Sequence, residues 1–477
     1  MRKTKIICTL GPSTDKDGVL EELIKEGMNV ARFNFSHGLH DEQKGRIDKL
    51  KEIRTRLGKP VAALLDTKGP EIRIREFENG KVTLKEGQEF TLTTEEIVGN
   101  EKIVSVTYKD LYKDVKPGNS ILIDDGLIGL EVKKIKGQDI ICKVVNGGVL
   151  GNKKGVNLPG VEVNMPFISP KDHDDILFGI KEGYDFIAAS FTRTAADVKE
   201  IRDILEKNGG HDIKIIAKIE NQQGVDNIDS IIEVADGIMI ARGDMGVEIP
   251  LEDVPVIQKD IIAKVYTAGK QVITATQMLD SMIRNPRPTR AEVTDVANAI
   301  YDGTDAVMLS GETAAGRYPL EAVRMMTKIA ESSEPYLDYR TYNRRDVKRS
   351  DHVISNALSS ATVRTAEILN AKAIIVPTMH GFTANLLSNW RPKCRIIGMS
   401  PNWDVLRKMQ LNWGVTPVKA MRETDTDELI EHSVNTVKEM GYIESGDTVI
   451  VTVGVKHKNQ PSYAIGETNN MRVIVVN

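Results

Sequence analysis

Residues 213–250 read IKIIAKIENQQGVDNIDSIIEVADGIMIARGDMGVEIP, and this stretch decides the fold. It opens at 213–219 with a run of β-branched residues between polar neighbours, which predicts a buried strand. A helical pattern follows at about 225–234, and the apolar run 237–241 predicts a second strand. A strand, a helix and another strand in close succession are typical of a parallel β/α architecture.

Both predicted strands end on charged residues. Lys218 and Glu220 lie two positions apart, so their side chains point to the same face of the first strand. Asp244 follows the second strand. In a parallel barrel the carboxyl ends of the strands form the active face. An ordinary ion pair and a turn remain the alternative interpretation of these residues, whereas an Arg-Gly-Asp adhesion signal is disfavoured because nothing in the chain is typical of a secreted protein.

The same alternation extends through two thirds of the chain. Helical patterns separate eight predicted strands, at 4–10, 29–36, 61–66, 184–190, 213–219, 237–241, 271–276 and 305–309. Eight is the number of strands that closes a TIM (β/α)8 barrel. An open, doubly wound sheet is the structural alternative.

Two further domains are predicted. Between about 72 and 167 the helical signal disappears and short alternating runs lie between Gly, Asn and Asp turns, which predicts an inserted small β-barrel or sandwich. A charged segment at 336–350 marks a boundary, and strands and helices alternate again beyond it. We therefore expect a catalytic barrel at 1–70 and 168–340, an inserted lid domain at 71–167 and a C-terminal open-sheet α/β regulatory domain at 351–477.

Composition excludes several classes of protein. The 477 residues carry a formal net charge of −4, which disfavours a nucleic-acid-binding protein. Three scattered cysteines give neither a zinc motif nor a disulfide framework, and no apolar run is long enough for a signal peptide or a membrane span. We expect a soluble cytoplasmic protein that binds neither nucleic acid nor membrane.

The predicted active face suits phosphoryl transfer, which needs cations placed around the moving group. Glu220 and Asp244 offer the oxygen ligands that Mg²⁺ prefers, and Lys218 can stabilise charge that develops in the transition state. Arg32 and Arg73 offer fork-shaped donors for phosphate, although each could also be a solvated or paired side chain.

Other strand ends carry neutral polar groups. Gly243 would let a substrate carboxylate meet backbone N–H groups at a helix start. Thr276 is by frequency more often a helix cap than a proton relay. One carboxylate with several neutral oxygens fits a monovalent cation, and residues from two strand ends provide this set: Asn34, Ser36, Asp66 and Thr67.

Several motifs resemble pyruvate kinases. The central signature is matched by IIAKIEN at 215–221 and MIARGDMGVE at 239–248. Further agreement lies at 65–73 (LDTKGPEIR), 275–279 (ATQML) and 309–313 (LSGET). The resemblance covers essentially the whole chain, and it implies a (β/α)8 barrel, an inserted lid and a C-terminal regulatory domain.

The resemblance also implies a role for each matching residue. Binding of phosphoenolpyruvate is implied for Arg32, Lys218, Gly243, Asp244 and Thr276. Catalytic roles are implied for Arg32, for Lys218 at the transferring phosphoryl group, and for Thr276 in proton delivery. The implied ligands of Mg²⁺ (or Mn²⁺) are Glu220 and Asp244, and those of K⁺ are Asn34, Ser36, Asp66 and Thr67. The nucleotide side is implied for Asn34, His37, Arg73 and Lys154, the last supplied by the lid.

Regulation is less clearly indicated. The segment 378–383 lies where a strand feeds a helix, which favours an anion site at Thr378, His380, Gly381 and Thr383. Family members that bind sugar phosphate usually have Ser and a basic residue where this chain has His380 and Phe382. We expect a phosphorylated small-molecule activator of another kind. Family members are usually homotetramers, and this chain resembles the bacterial type without an extra C-terminal phosphohistidine-like domain.

Glu71 bears on the monovalent cation. Family members with Lys at the matching position work without K⁺, whereas those with Glu require it, so the resemblance implies K⁺ dependence here.

We therefore expect a glycolytic pyruvate kinase that transfers a phosphoryl group from phosphoenolpyruvate to ADP and yields pyruvate and ATP. A Mg²⁺-dependent TIM-barrel lyase or aldolase is the second hypothesis, because adjacent carboxylates also suit enolate chemistry. A non-catalytic metabolite-binding scaffold is the third, and the complete set of candidate catalytic residues speaks against it.

Overall fold

The computed structural model describes residues 2–339, 353–422, 425–454 and 468–477. Most of the predicted boundary segment 336–350 lies outside the described residues. The same is true of His352, where the sequence pattern predicts that the next helix starts. No helix in the described ranges is both long and apolar enough to cross a membrane.

The chain begins with three strands and two helices of the barrel. These are β1 (Lys5–Thr9), α1 (Val19–Lys25), β2 (Val30–Asn34), α2 (His40–Arg56) and β3 (Ala62–Asp66). The sequence pattern predicts a helix at 15–26, but α1 begins only at Val19, because Gly18 adopts a left-handed conformation (φ 77°) and the residues before it form turns.

The insertion follows β3. Its elements are β4 (Ile72–Arg73), β5 (Lys81–Leu84), β6 (Glu89–Thr93), β7 (Ile103–Ser105), α3 (Leu111–Asp114), β8 (Ser120–Ile123), β9 (Ile128–Lys136), β10 (Asp139–Asn146), β11 (Gly148–Gly151) and β12 (Gly155–Asn157). Seven strands pair in the order β4-β12-β8-β9-β10-β6-β7, and β5 pairs with β11. The short helix α3 is not predicted by the sequence pattern.

The two edges of this seven-stranded sheet meet. Ile74 and Val106 form an isolated antiparallel bridge just beyond β4 and β7. The N–H of Arg75 donates to the carbonyl of Ser105, and the N–H of Thr107 donates to the carbonyl of Arg73, both at 2.8 Å. These bonds close the insertion into the small β-barrel that the sequence predicts.

The chain then completes the large barrel. The remaining strands are β13 (Phe186–Ala189), β14 (Lys214–Ile219), β15 (Gly237–Ala241), β16 (Gln271–Ala275) and β17 (Ala306–Leu309). The helices are α4 (Pro170–Glu182), α5 (Ala195–Lys207), α6 (Gln222–Asp226), α7 (Ile228–Val234), α8 (Arg242–Glu248), α9 (Val254–Thr267), α10 (Arg290–Asp302), α11 (Gly311–Ala314) and α12 (Pro319–Ser333). The helix predicted at 225–234 is divided between α6 and α7.

The eight strands form a closed, all-parallel barrel in the order β1-β17-β16-β15-β14-β13-β3-β2. Strand β1 closes the ring because it pairs with β17 on one side and with β2 on the other. The predicted TIM-barrel fold is confirmed, and the open doubly wound sheet is excluded. The strands are buried on both faces, as a parallel sheet covered by helices requires.

A recurrent hydrogen bond marks the amino ends of the barrel strands. The residue before every second strand accepts the backbone N–H of a residue at the start of the preceding strand, at 2.8–3.0 Å. These acceptor and donor pairs are Asn29 and Ile6, Asp185 and Ala63, Asp236 and Ile215, and Asp305 and Val272. Each pair satisfies a backbone donor at the end of a strand, where the ladder has no acceptor to offer.

The C-terminal domain has an open five-stranded sheet. Its elements are α13 (Val353–Ile368), β18 (Ala373–Pro377), α14 (Phe382–Asn389), β19 (Arg395–Ser400), α15 (Trp403–Lys408), β20 (Val415–Lys419), α16 (Thr426–Glu439), β21 (Thr448–Val453) and β22 (Asn470–Val475). The order is β20-β19-β18-β21-β22, with only β22 antiparallel. The open-sheet α/β architecture is confirmed, while the exact domain limits stay a prediction.

This domain packs against the floor of the barrel, the end at which the barrel strands begin. It contacts three of the four residues that accept the N–H groups described above, which we call the capping residues. Their partners are Gln410 for Asn29, Arg407 for Asp185 and Arg391 for Asp305, each at 2.8 Å. The fourth cap, Asp236, pairs with Arg202 and Lys214 of the barrel itself. The same three polar side chains therefore accept backbone N–H groups at the strand starts and bind the C-terminal domain to the barrel.

We predict that Arg391→Met destabilises the protein by about 3–5 kcal/mol, because it leaves the Asp305 carboxylate buried without its cation. Both side chains are about 4% exposed, and burial already raises the pKa of Asp305 despite Arg391. The measurement is the melting temperature. The matched control is Arg472→Met, which removes an exposed ion pair with Asp427 and should cost no more than about 1 kcal/mol. Equal melting temperatures for the two variants would contradict the prediction.

Candidate active site

Charged and polar side chains lie together at the carboxyl ends of four neighbouring strands. Arg32 lies in β2, Asp66 ends β3, Ser190 follows β13, and Lys218 and Glu220 lie at the end of β14. Because β2, β3, β13 and β14 are consecutive in the barrel, residues that are far apart in sequence become neighbours.

Lys218 is the centre of this group. Its Nζ lies 3.0 Å from Asp66 Oδ1, 3.0 Å from Glu220 Oε1 and 2.7 Å from Ser190 Oγ. Burial by itself lowers the pKa of a lysine, but Asp66 and Glu220 more than offset burial and hold the pKa of Lys218 above its ordinary value. The ammonium is therefore charged at neutral pH, donates hydrogen bonds to Asp66 and Ser190, and forms an ion pair with Glu220.

Asp66 joins Lys218 to Arg32. Arg32 Nε donates to Asp66 Oδ2 at 2.6 Å, and the Ser190 hydroxyl donates to Asp66 Oδ1 at 2.9 Å. Burial favours the neutral acid, yet Arg32 and Lys218 outweigh it and lower the pKa of Asp66. Arg32 also donates to the Thr9 hydroxyl at 3.0 Å, so its guanidinium is a fixed, buried cation rather than a solvated one.

Glu220 has less positive charge around it than Lys218 has negative charge. Its carboxylate accepts the N–H of Phe191 and pairs with Lys218. Burial raises the pKa of Glu220 to about 7, and Asp244 adds to the rise while Lys218 opposes it. The pKa values of both residues of this ion pair are raised. Lys218 lies near several carboxylates, whereas Glu220 is buried and shares the positive charge of Lys218 with the other carboxylates.

The local charge leaves room for a cation. The charges that act most strongly on Lys218 are three carboxylates, those of Asp66, Glu220 and Asp244, and one cation, Arg32. A divalent ion beside Glu220 and Asp244 would offset that excess of negative charge with the oxygen ligands that Mg²⁺ prefers. No group of three or more His, Cys, Asp or Glu side chains placed to hold a metal occurs within the described ranges. Two protein carboxylates would then need substrate or water oxygens to complete the coordination.

Thr276 lies beside the predicted substrate end of α8. Its backbone is left-handed (φ 68°), an uncommon conformation for a β-branched residue. Its Oγ1 accepts the N–H of Gly243 at 2.6 Å and donates to the carbonyl of Ala275. The N–H of Gly243 that the sequence offers to a carboxylate is thus already bonded to Thr276. A side chain at Gly243 would meet Thr276 Oγ1 at 3.2 Å, so the close approach favours glycine.

The four residues of the predicted monovalent-cation site lie on adjacent strand ends. Asn34 of β2 pairs in register with Asp66 of β3. The N–H of Ser36 donates to Asn34 Oδ1 at 3.0 Å. The Thr67 hydroxyl donates to the carbonyl of Ala188 at 3.3 Å. The four residues therefore lie at the ends of two neighbouring strands, and Asp66 among them contacts Lys218.

The predicted nucleotide residues are more exposed. His37 lies in the exposed loop after β2. Arg73 pairs with Glu71 and donates to the carbonyl of Lys153 at 2.6 Å, while Lys154 Nζ lies 2.9 Å from Asp124. The side chains of Arg73 and Lys154 are therefore paired with other residues of the insertion.

A cleft of about 480 Å³ separates the insertion from the barrel. Glu71 and Asn157 line it from the insertion, and Asp244 and Glu248 line it from the barrel. Asn157 Nδ2 donates to Glu248 Oε1 at 2.9 Å across it. The cleft is therefore a substrate-sized space that opens onto the predicted metal ligand Asp244.

The predicted effector residues lie between β18 and α14. The N–H of Gly381, which is left-handed (φ 80°), donates to the Thr378 hydroxyl at 2.9 Å. The Thr383 hydroxyl contacts the Thr468 hydroxyl at 2.5 Å, and His380 is exposed. The helix begins at Phe382, whereas the sequence pattern predicts a start at Thr383. The effector assignment stays a prediction.

Two groups of this site are not among the residues predicted from the sequence. One is Ser190, which forms hydrogen bonds with Asp66 and Lys218, and the other is the N–H of Phe191, which donates to Glu220. The signal for Ser190 was available, because it is a polar residue directly after a buried strand. The N–H of Phe191 has no side-chain signal, although its left-handed backbone (φ 55°) shows that the turn is constrained.

Comparisons with known proteins place this arrangement in a family. A sequence profile described as "Pyruvate kinase, barrel domain" matches residues 1–323, and one described as "Pyruvate kinase, alpha/beta domain" matches 356–474. The chain belongs to the pyruvate kinase family. It is 52% identical over 477 residues to the pyruvate kinase of Clostridium acetobutylicum, with both chains covered completely. It is equally similar to that of Geobacillus stearothermophilus, of which 80% is covered.

Solved structures agree with this family membership. The crystal structure of a pyruvate kinase from Cryptosporidium parvum matches the whole chain with a TM-score of 0.93 and 42% identity, and 96% of that chain is covered. Its relatives make this pyruvate kinase family member a kinase, and so a transferase. Family membership decides against the lyase and the non-catalytic scaffold.

We predict that Ser190→Ala lowers kcat at least about tenfold, because a hydrogen bond to a charged group is worth about 1.5–3 kcal/mol. Lys218 would keep its charge but lose one of the three partners that fix the direction of its ammonium. The matched control is Ser230→Ala, which removes a hydroxyl that donates to the carbonyl of Asn227 in α7. Steady-state kinetics of both variants test this, and a Ser190→Ala rate within twofold of wild type would show that Ser190 is dispensable.

Proposed function

We propose that this pyruvate kinase family member transfers a phosphoryl group from phosphoenolpyruvate to ADP and yields pyruvate and ATP, as a cytoplasmic enzyme of glycolysis. The observation that carries the proposal is the buried ammonium of Lys218, held by two carboxylates and a hydroxyl at the carboxyl ends of the barrel strands. A fixed cation at this depth is what a transferring phosphoryl group needs.

Glu220 and Asp244 are the proposed ligands of Mg²⁺ (or Mn²⁺). The excess of negative charge around Lys218 and the raised pKa of Glu220 support this assignment. When bound, the ion would supply Lewis-acid stabilisation of phosphoryl charge. The protein's contribution is to hold the carboxylate of Glu220 in place through Lys218 and the N–H of Phe191.

Arg32 and Lys218 are the proposed partners of the phosphoryl group. The P–O bond to the enol oxygen breaks as a new P–O bond forms to the terminal phosphate of ADP, and Lys218 stabilises the charge on the equatorial oxygens. The enolate that remains takes a proton at its methylene carbon. Thr276 is proposed to deliver that proton through its hydroxyl, and its release of the Gly243 N–H would let that donor meet the substrate carboxylate.

Asn34, Ser36, Asp66 and Thr67 are the proposed ligands of K⁺. Their positions at the ends of two adjacent strands support this assignment, and Asp66 is the one carboxylate among them. The proposed nucleotide side consists of Asn34, His37, Arg73 and Lys154. Lys154 belongs to the insertion, so closing the cleft as a lid would bring its ammonium toward the ADP phosphates.

The remaining assignments follow the family resemblance. The limits 1–70 and 168–340, 71–167 and 351–477 are proposed for the catalytic barrel, the lid and the regulatory domain. A phosphorylated activator is proposed to bind Thr378, His380, Gly381 and Thr383, where a strand feeds a helix of eight residues. A homotetramer is the proposed assembly.

The deciding experiment is a coupled assay of ADP-dependent pyruvate formation in which Mg²⁺ and K⁺ are omitted in turn. The proposal requires activity with both ions and its loss without the divalent ion. Pyruvate formation that does not depend on ADP would overturn the proposed reaction, and full activity with a chelator present would overturn the metal assignment alone.

We predict that Lys218→Met lowers kcat by about 10²–10³, the typical effect of removing one transition-state donor. Methionine keeps the volume of the lysine stem and removes only the charge. Enolate protonation is a separate step that depends on Thr276, so proton exchange at the methyl group of pyruvate should continue. The measurements are kcat and solvent exchange into pyruvate. A variant that retains more than about a tenth of the wild-type kcat would contradict the assigned role.

We predict that K⁺ raises activity at least about tenfold and that Glu71→Lys largely removes this dependence. A unit charge at about 4 Å and an effective dielectric near 20 is worth roughly 4 kcal/mol, so an ammonium can replace a monovalent ion. In the structure Glu71 pairs with Arg73, and the substitution also releases that guanidinium. The control is Glu76→Lys, because Glu76 pairs with Lys153 on the outer side of the insertion. Initial rates with KCl or tetramethylammonium chloride at equal ionic strength decide it, and undiminished wild-type activity without K⁺ would refute it.

A further inference from the structure

The loop 34–38 between β2 and α2 is held from outside the strand-end network. Gln43 of α2 donates from Nε2 to the carbonyl of Asn34 at 3.1 Å and to the carbonyl of His37 at 3.2 Å. Lys171 of α4 donates from Nζ to the carbonyl of Phe35 at 2.7 Å. Two side chains thus bind three carbonyls within four residues of this loop.

Both donors are themselves supported. Gln43 is only 3% exposed, and a buried amide is costly unless its hydrogen bonds are made. Lys171 Nζ also lies 2.6 Å from the buried carboxylate of Asp175, whose other oxygen lies 2.6 Å from His40 Nε2. Lys171 is therefore directed at the loop carbonyl by a fixed carboxylate, although its side chain is half-exposed.

The side chains of the loop are directed by the same elements. The ring of Phe35 is buried against Phe178 of α4 and Tyr184, with centroids 5.8 and 6.1 Å away. Asn34 lies in register with Asp66 at the strand end. Fixing the ring of Phe35 and the carbonyls on both sides of it fixes the direction in which Asn34 and Ser36 present their oxygens.

We infer that Gln43 and Lys171 are positioning residues that hold the loop 34–38 in the conformation that presents Asn34 and Ser36 to the monovalent cation. The inference rests on the proposed function, because that function includes the cation. Gln43 and Lys171 act through the loop backbone and are not proposed as ligands. Their effect should therefore fall on affinity for the monovalent ion more than on affinity for phosphoenolpyruvate.

Four variants test this. Gln43→Met and Lys171→Met remove the donors and keep the side-chain volume, and Lys171→Arg keeps a donor and should restore function. The matched control is Lys44→Met, because Lys44 is the neighbour of Gln43 in α2 but pairs with Asp48 and Glu182. The full-length enzyme is used throughout.

Three measurements are made. Hydrogen exchange of a peptide spanning the loop reports the loop itself. The rise in melting temperature with KCl, compared with tetramethylammonium chloride, reports cation binding without catalysis. Initial rates give the half-saturating K⁺ concentration and the KM for phosphoenolpyruvate.

A net hydrogen bond changes an equilibrium by about two- to tenfold. We expect loop exchange and half-saturating K⁺ to rise about tenfold in Gln43→Met, which loses two bonds. We expect a rise of about threefold in Lys171→Met, because water screens the charge of its half-exposed ammonium. The K⁺-dependent rise in melting temperature should shrink in both. The KM for phosphoenolpyruvate should change less than about twofold, and Lys171→Arg and Lys44→Met should match the wild type.

Unchanged loop exchange in a folded Gln43→Met enzyme would overturn the inference. So would a uniform loss of stability and activity with no shift in half-saturating K⁺, because that is the result of a merely structural role. A wild-type enzyme that shows no response to K⁺ in rate or melting temperature would instead overturn the proposed cation site, and loop exchange would still decide whether Gln43 and Lys171 hold the loop.

Discussion

A buried ammonium cannot exist in the core of a barrel without compensating charge, and the active face of this protein is arranged around that constraint. The charge of Lys218 is compensated by Asp66 and Glu220, and Asp66 also pairs with Arg32. Ser190 forms hydrogen bonds with both Lys218 and Asp66. Four strands are tied together by one network. The resulting rigidity has a chemical consequence, since electrostatic catalysis depends on charges that do not have to reorganise during the reaction.

The opposite end of the barrel uses carboxylates differently. At the floor, Asp185 and Asp305 each accept a backbone N–H and pair with an arginine of the C-terminal domain. There the buried charges are matched by partners from the protein itself, whereas the rim keeps an excess of negative charge beside Glu220 and Asp244. The amino ends of the barrel strands therefore serve stability and domain contact, whereas the carboxyl ends can accept cations. TIM barrels in general divide these roles in the same way.

Strained backbone conformations also occur at the carboxyl ends of the barrel strands. Phe191, Thr276 and Gln277 have left-handed backbones just beyond barrel strands, a conformation that costs of the order of 1 kcal/mol or more for such residues. Gly69 has no such cost, but a side chain there would meet the carbonyl of Ser190 at 2.7 Å. The turns of neighbouring strands are thus packed tightly against each other, which directs the N–H of Phe191 to Glu220 and the N–H of Gly243 to Thr276.

The sequence by itself determined the order of strands and helices, the interruption by an all-β insertion and the polar residues at strand ends, because side-chain periodicity and turn residues are local properties of the chain. Its motifs also indicated the family. Only the tertiary structure decided which strand ends meet, since the contact of Lys218 with Asp66 depends on barrel order and register. It also decided that the N–H of Gly243 bonds to Thr276 and that Gln43 and Lys171 bind the carbonyls of one loop. Backbone donors and acceptors have no residue-specific signature, and long-range pairs become visible only when the chain has closed into a barrel.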